Sequence, residues 1–140
     1  MSLPDPARVI VKVRVEWPDT DAATHYQYSV VMRWIQVAEA TLHQRLGIAE
    51  RTFGSTPRVH LEVDFKRRLW FLDEVDVDFF VDRVGRTSLR YGFKVRKGDV
   101  VAAQGAMVCA YMPSGCESPV PWPEDMRELF GESGDVTDRL

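Results

Sequence analysis

The chain has 140 residues, 45% of them hydrophobic, which suffices for one folded unit with a core of ordinary size. A formal net charge of −3 gives no general attraction to nucleic acid or to an anionic membrane, so neither is an expected partner. No apolar run approaches the ~20 residues of a membrane span, Met1–Ala7 lacks the regions of a signal peptide, and Cys109 and Cys116 make no disulfide scaffold; a reducing, cytoplasmic location is expected.

In chain order, residues up to Ala7 read as a loose tail. Val9, Val11, Val13, Val15 and Trp17 then alternate with other residues, which predicts a strand with one buried face, ended by Pro18. The acidic loop Asp19-Thr20-Asp21 follows, with His25 four residues on. Val31, Ile35, Ala38, Leu42 and Leu46 recur at helical spacing and Trp34 widens their stripe, while Arg33, Gln36, Glu39, His43 and Gln44 lie off it. This predicts an amphipathic helix of about five turns. Ser29 stands at its N-cap and Gly47 at its C′ position, where a left-handed backbone is wanted.

Residues Ala49 to Thr56 read as a loop. Period-two alternation returns at Val59–Lys66, Val75–Asp82 and Leu89–Arg96, giving three more strands. Lys97-Gly98-Asp99 marks a hairpin turn. Val100–Met112 is apolar on both faces and predicts a fifth strand, with Gly105 as the expected site of a bulge. Pro113, Pro119, Pro121 and Pro123 make an extended exit, Pro123–Phe130 a short helix before Gly131, and Glu132–Leu140 a frayed end.

Strand, long helix and four consecutive strands predict an α+β fold. Its five-stranded antiparallel sheet curls around the helix, in the order β-α-β-β-β-β. The expected organisation is one domain over 1–140, with a core at about 8–113 and a tail at about 114–140. One helix covers such a sheet only in part, so a second subunit is expected to close the rest, as a homodimer or homotetramer. An acid, an imidazole and a helix N-terminus meet between Asp19 and Tyr28, an arrangement suited to chemistry on a polarised carbonyl. The spacing of His25, His43 and His60 suits no metal, and there is neither a Gly-x-Ser-x-Gly elbow nor a glycine-rich phosphate loop.

These residues carry a family likeness. Asp19-Thr20-Asp21 with His25, then Arg33-Trp34-Ile35 inside the helix, resembles the hot-dog-fold acyl-CoA thioesterases of the 4-hydroxybenzoyl-CoA thioesterase type. So do Phe65-Lys66-Arg67-Arg68-Leu69 with Asp73-Glu74-Val75, the turn Val84-Gly85-Arg86-Thr87-Ser88, and Pro119-Val120-Pro121-Trp122-Pro123-Glu124. Against the family pattern, Thr24 replaces a glycine, Gln27 an asparagine, Gln36 the helix acid, Arg68 a loop proline and Leu72 a loop glycine.

The resemblance implies hydrolysis of an acyl- or aroyl-CoA thioester to acid and coenzyme A without metal or cofactor. Asp21 would be the catalytic carboxylate, as base or nucleophile, with His25 assisting and the Tyr28 backbone amide holding the thioester oxygen. Gln27, Trp34 and Gln36 would bind substrate, although Trp34 also reads as plain core. Arg86 and Arg67 would bind coenzyme A. Two alternatives stand beside this: a non-catalytic acyl-CoA-binding module, and release of an acyl or polyketide chain from an acyl-carrier protein.

Overall fold

In the computed structural model, which describes residues 3–22 and 25–139, the alternating segments form five strands. They are β1 Arg8–Arg14, β2 Arg58–Phe65, β3 Glu74–Val84, β4 Ser88–Lys97 and β5 Val100–Ala110. All neighbours are antiparallel, in the order β1-β3-β4-β5-β2. The long helix α1, Val30–Arg45, packs on one face of this sheet. Its Val31, Trp34, Ile35, Ala38 and Leu42 share one core with Val77, Phe79, Leu89, Tyr91, Phe93 and Val95 of the sheet. Two shorter helices follow the chain, α2 Ala49–Thr52 and α3 Glu124–Glu132. Among the described residues no helix is long and apolar enough to cross a membrane.

Both ends of α1 lie where the sequence places them. Ser29 precedes it, although no side-chain hydrogen bond caps the helix there. Gly47 follows with φ +76°, the left-handed backbone that ends a helix at low cost when no Cβ is present.

Several expectations change. β1 stops at Arg14, and Trp17 lies in a 3-10 turn with Pro18 and Asp19, 70% exposed rather than on the buried face. Pro18 has no N–H for a ladder, and the Asp19 carboxylate accepts the Glu16 N–H at 2.8 Å, so the chain turns early. Gly105 is no bulge, for it pairs in register with Val63 and Phe93. A Cβ there would meet the Glu62 carbonyl oxygen at 1.9 Å, so close approach of β2 is what requires glycine. The Ala49–Thr56 segment contains the turn of α2.

The terminal segments, expected to be loose, are tied to each other at residues 5–8 and 130–136. Asp5 and Ala7 donate to the carbonyls of Gly131 and Phe130, and Gly134 donates back to Asp5. Arg8 donates to Gly134 and accepts from Val136, while Ile10 N–H reaches the Thr137 hydroxyl, so residues 134–137 lie along the outer edge of β1.

The other edge is open. Among the described residues β2 pairs only with β5, and its Val59 and Phe65 stay 62% and 47% exposed. Met32 and Val37 of α1 are exposed as well. The apolar alternation of β2 therefore does not end in burial within one chain.

The segment between β2 and β3 makes a tight turn at Trp70–Asp73, closed by Asp73 N–H to Trp70 O at 3.0 Å and Trp70 N–H to the Asp73 carboxylate at 2.8 Å. Leu72 sits there with φ +71°, a region that L side chains enter at a cost of roughly 1–2 kcal/mol. Leu72→Gly removes that strain and little burial. It is expected to raise stability by up to about 1 kcal/mol, once the extra entropy of an unfolded glycine is set against the relief. Thermal unfolding of the two proteins side by side checks this.

Candidate active site

The acidic loop is held on both sides. Asp19 is buried, its carboxylate paired with Arg33 of α1 and its carbonyl accepting the Gln27 N–H at 2.8 Å. Asp21 N–H donates to the His25 carbonyl at 3.0 Å, and Thr20 bridges Tyr26. Across from this small turn, Tyr26 N–H donates to Leu69 O at 2.8 Å and His25 bridges Trp70. The loop is thus fixed between the start of α1 and the segment that follows β2. Asp19, Arg33 and Gln27 brace it.

Asp21, His25 and Tyr28 come together with Phe65, Arg67 and Trp70 around a cavity of about 680 Å³. Lys66 and Arg68 border the same space. The rings of His25 and Trp70 meet edge to face at 5.8 Å, as do Tyr28 and Phe65 at 6.4 Å. His25 Nδ1 donates to the Tyr26 carbonyl at 3.2 Å, an assignment made from the acceptor, and Nε2 is then the nitrogen left to face a ligand. Burial raises the Tyr26 hydroxyl above its ordinary pKa, so it stays protonated and donates to Arg67 O at 3.2 Å. The Tyr28 N–H donates to no backbone carbonyl among the described residues and stands just before the first turn of α1, where the helix presents partial positive charge. A carboxylate, an imidazole, an unused amide donor and aromatic rings thus meet in one cleft. That set can activate a water or attack a carbonyl carbon, and can hold the oxyanion that results.

Of the residues expected from sequence, Asp21, His25, Tyr28 and Arg67 meet here, and four do not. Gln27 turns to the other side of the loop, where its amide donates to Thr20 O at 3.0 Å. Trp34 is 2% exposed and stacks against Tyr26 at 6.1 Å, as core. Gln36 lines a second cavity of about 310 Å³ with Glu39, His43 and Arg58. Arg86 is in the β3–β4 turn, at the end of the sheet where β2 begins, whereas Arg67 follows the end of β2. The eight residues of β2 span about 26 Å, so the two arginines stand at opposite ends of the sheet. Thr24, at the family's glycine position, lies outside the described residues.

Tyr26 and Trp70 were not foreseen. The sequence signal for Trp70 is the apolar run Leu69-Trp70-Phe71-Leu72 in a loop, where apolar residues need a reason. Also unforeseen is a buried polar relay beside the second cavity. His43 Nδ1 donates to the Thr52 hydroxyl at 2.7 Å, which itself donates to Ile48 O, and His43 Nε2 accepts from the Tyr91 hydroxyl at 2.5 Å. Burial, helped by the Arg58 charge, lowers the His43 pKa to about 4, and burial raises that of Tyr91, so both stay neutral. Glu39, also buried, pairs with Arg58, and burial raises its pKa against that pairing. Among the described residues no three His, Cys, Asp or Glu side chains gather as a metal would need.

A family profile described as the thioesterase-like superfamily matches residues 15–130. No curated protein matches the chain. Among solved structures, a predicted thioesterase from Bacillus stearothermophilus aligns with TM-score 0.82 at 22% identity, over 91% of this chain and 96% of that one. A DHNA-CoA thioesterase from Staphylococcus aureus aligns with TM-score 0.80 at 17% identity, over 91% of each. A thioesterase from Thermus thermophilus, complexed with coenzyme A and zinc, aligns with TM-score 0.79 at 30% identity, over 87% of this chain and 90% of that one. With this profile over most of its length, and with the sheet and helix described above, the chain belongs to the thioesterase-like superfamily and is a hot-dog-fold thioester hydrolase.

Proposed function

We propose that the protein hydrolyses acyl-CoA thioesters with Asp21 as the catalytic carboxylate and without a metal. The convergence of Asp21, His25 and the Tyr28 amide on one aromatic-walled cavity carries this reading. Asp21 activates a water or attacks the acyl carbon, the Tyr28 N–H and the start of α1 hold the oxyanion, and His25 Nε2 orients the water or the carbonyl. The Thermus relative's coenzyme A supports that thiol as the leaving group. Among the described residues no three His, Cys, Asp or Glu side chains gather that could hold such a zinc.

Arg67 binds a coenzyme A phosphate in this reading. Arg67→Ala is then expected to raise KM for acyl-CoA by about tenfold with kcat little changed, since a charged hydrogen bond made equally in ground and transition states is lost. Steady-state kinetics on one acyl-CoA checks it.

The active form is a dimer, or a dimer of dimers, joined antiparallel along the open β2 edges. A two-fold axis through β2 sets the Arg58 end of one strand against the Phe65 end of its partner. Gln36, and Arg86 at the same end of the sheet, then approach the partner's Asp21 cavity, which accounts for their distance from their own. The thiols of Cys109 and Cys116 are free, which fits a cytoplasmic location.

The test is release of free thiol from a panel of short, long, branched and aromatic acyl-CoAs, wild type beside Asp21→Asn. Turnover lost in the variant supports the reading. Binding without turnover on every member overturns it in favour of a non-catalytic module. Turnover only from acyl-carrier protein keeps the chemistry and changes the donor.

A further inference from the structure

We propose that Arg33 is a positioning residue for the hydrolysis: through the buried Asp19 carboxylate it fixes the Asp21 carboxylate relative to the Tyr28 N–H. The inference rests on the roles given above to Asp21 and Tyr28, and adds the group that keeps them in fixed relation. α1 begins at Val30, so Arg33 closes its first turn. A helix presents partial positive charge there and, left to itself, favours an acid over a cation. No acid occupies that first turn. Helix stability therefore does not account for an arginine at this position.

What the arginine reaches is Asp19. The Arg33 side chain is 58% exposed, yet it pairs with a carboxylate that is 5% exposed. A carboxylate buried that far needs a charged or hydrogen-bonding partner on each oxygen. One oxygen of Asp19 accepts the Glu16 N–H at 2.8 Å, and the other takes the Arg33 guanidinium. The same residue's carbonyl accepts the Gln27 N–H at 2.8 Å, and the Gln27 side-chain amide donates to Thr20 O at 3.0 Å. Asp19 is thus a junction between the end of β1, the acidic loop and α1.

Both groups of the reaction hang from this junction. Asp21 is the residue after Thr20, and Tyr28 the residue after Gln27. With Arg33 in place, the segment that carries the carboxylate and the segment that carries the oxyanion donor are held to one helix. Such geometry matters steeply, since a misplacement of about 1 Å costs roughly a hundredfold in rate. Arg33 has a second effect at the same place. It neutralises the Asp19 charge, which would otherwise stand close in the chain to the amide that holds the oxyanion and oppose the negative charge that develops there. Neither effect requires Arg33 to touch the substrate.

The test is steady-state kinetics on the acyl-CoA that wild type hydrolyses fastest, each variant being assayed well below its own melting midpoint. Arg33→Gln is expected to lower kcat about ten- to a hundredfold with KM within about twofold of wild type. Arg33→Lys keeps the charge but not the planar fork, and its kcat should lie between the two; it carries the comparison if Arg33→Gln does not fold. Asp19→Asn should lose about as much as Arg33→Gln. The double variant should lose little more than either, because the two side chains act through one contact. A kcat within about twofold of wild type in Arg33→Gln, a loss that falls on KM alone, or losses that multiply in the double variant each overturn the proposal. Asp21→Asn measured alongside separates the two readings. Turnover kept in that variant removes the catalytic assignment itself, whereas turnover lost there and kept in Arg33→Gln removes only the role of Arg33.

Discussion

Replacing Asp21 with asparagine is expected to lower kcat by about 10²–10⁴, the usual worth of a positioned acid or base, with KM near the wild-type value. The substitution changes almost no volume. The Asp21 N–H to His25 O bond, the Thr20–Tyr26 bridge and the Gln27–Asp19 bond are backbone contacts that the substitution leaves in place. Asparagine can still accept and donate hydrogen bonds, so the variant should melt with the wild type. It can neither take a proton from water nor form an anhydride, so both roles open to Asp21 disappear. Thiol release and thermal melting on the same preparations decide the matter: turnover within tenfold of wild type would falsify the assignment of Asp21.

The second large effect concerns acid. Folding stability should fall by up to about 3 kcal/mol as pH drops from 6.5 to about 4, through His43 alone. The sign follows from proton binding. In the unfolded chain His43 takes up its proton near pH 6.5; in the native relay between Thr52 and Tyr91 it refuses that proton until about pH 4. Between those values the unfolded state holds more protons, so lowering pH favours unfolding. Glu39 works against this, because burial raises its pKa and the native state protonates it first, which favours folding as pH falls. Comparing His43→Gln with wild type isolates the histidine part, since Glu39 and Arg58 remain in both. Denaturant unfolding across this pH range should show a shallower dependence in the variant, and parallel curves would remove His43 as the cause.

Much of the fold was legible because it rests on local periodicity. The stripe from Val31 to Leu46 and the alternation at Val75–Asp82 and Leu89–Arg96 each have one solution in which apolar residues share a face. Long-range contacts were not legible. Nothing local marks Val136 as a residue that will donate to Arg8, or Ala7 as one that will be fully buried. Glu39 and His43 lie one position after Ala38 and Leu42, on the margin of the stripe, where spacing alone does not tell a buried polar group from a solvated one.

The site divides in the same way. Asp21, His25 and Tyr28 are close in sequence and could be read as a unit. Trp70 and Phe65 reach them through the Tyr26–Leu69 hydrogen bond and the His25–Trp70 bridge, which join distant segments. Gln36 and Arg86 were placed by likeness to other chains, and a single protomer puts both away from Asp21.

The strap of residues 134–137 occupies the Arg8–Ile10 part of the β1 edge, whereas among the described residues β2 pairs on one side only. A sheet with two open edges can add a copy at each and grow without limit. A copy pairing along β1 would first have to displace the strap, so β2 is the edge at which pairing meets least resistance. The segment after α3 thus biases any assembly through this sheet towards two copies, as well as supporting β1.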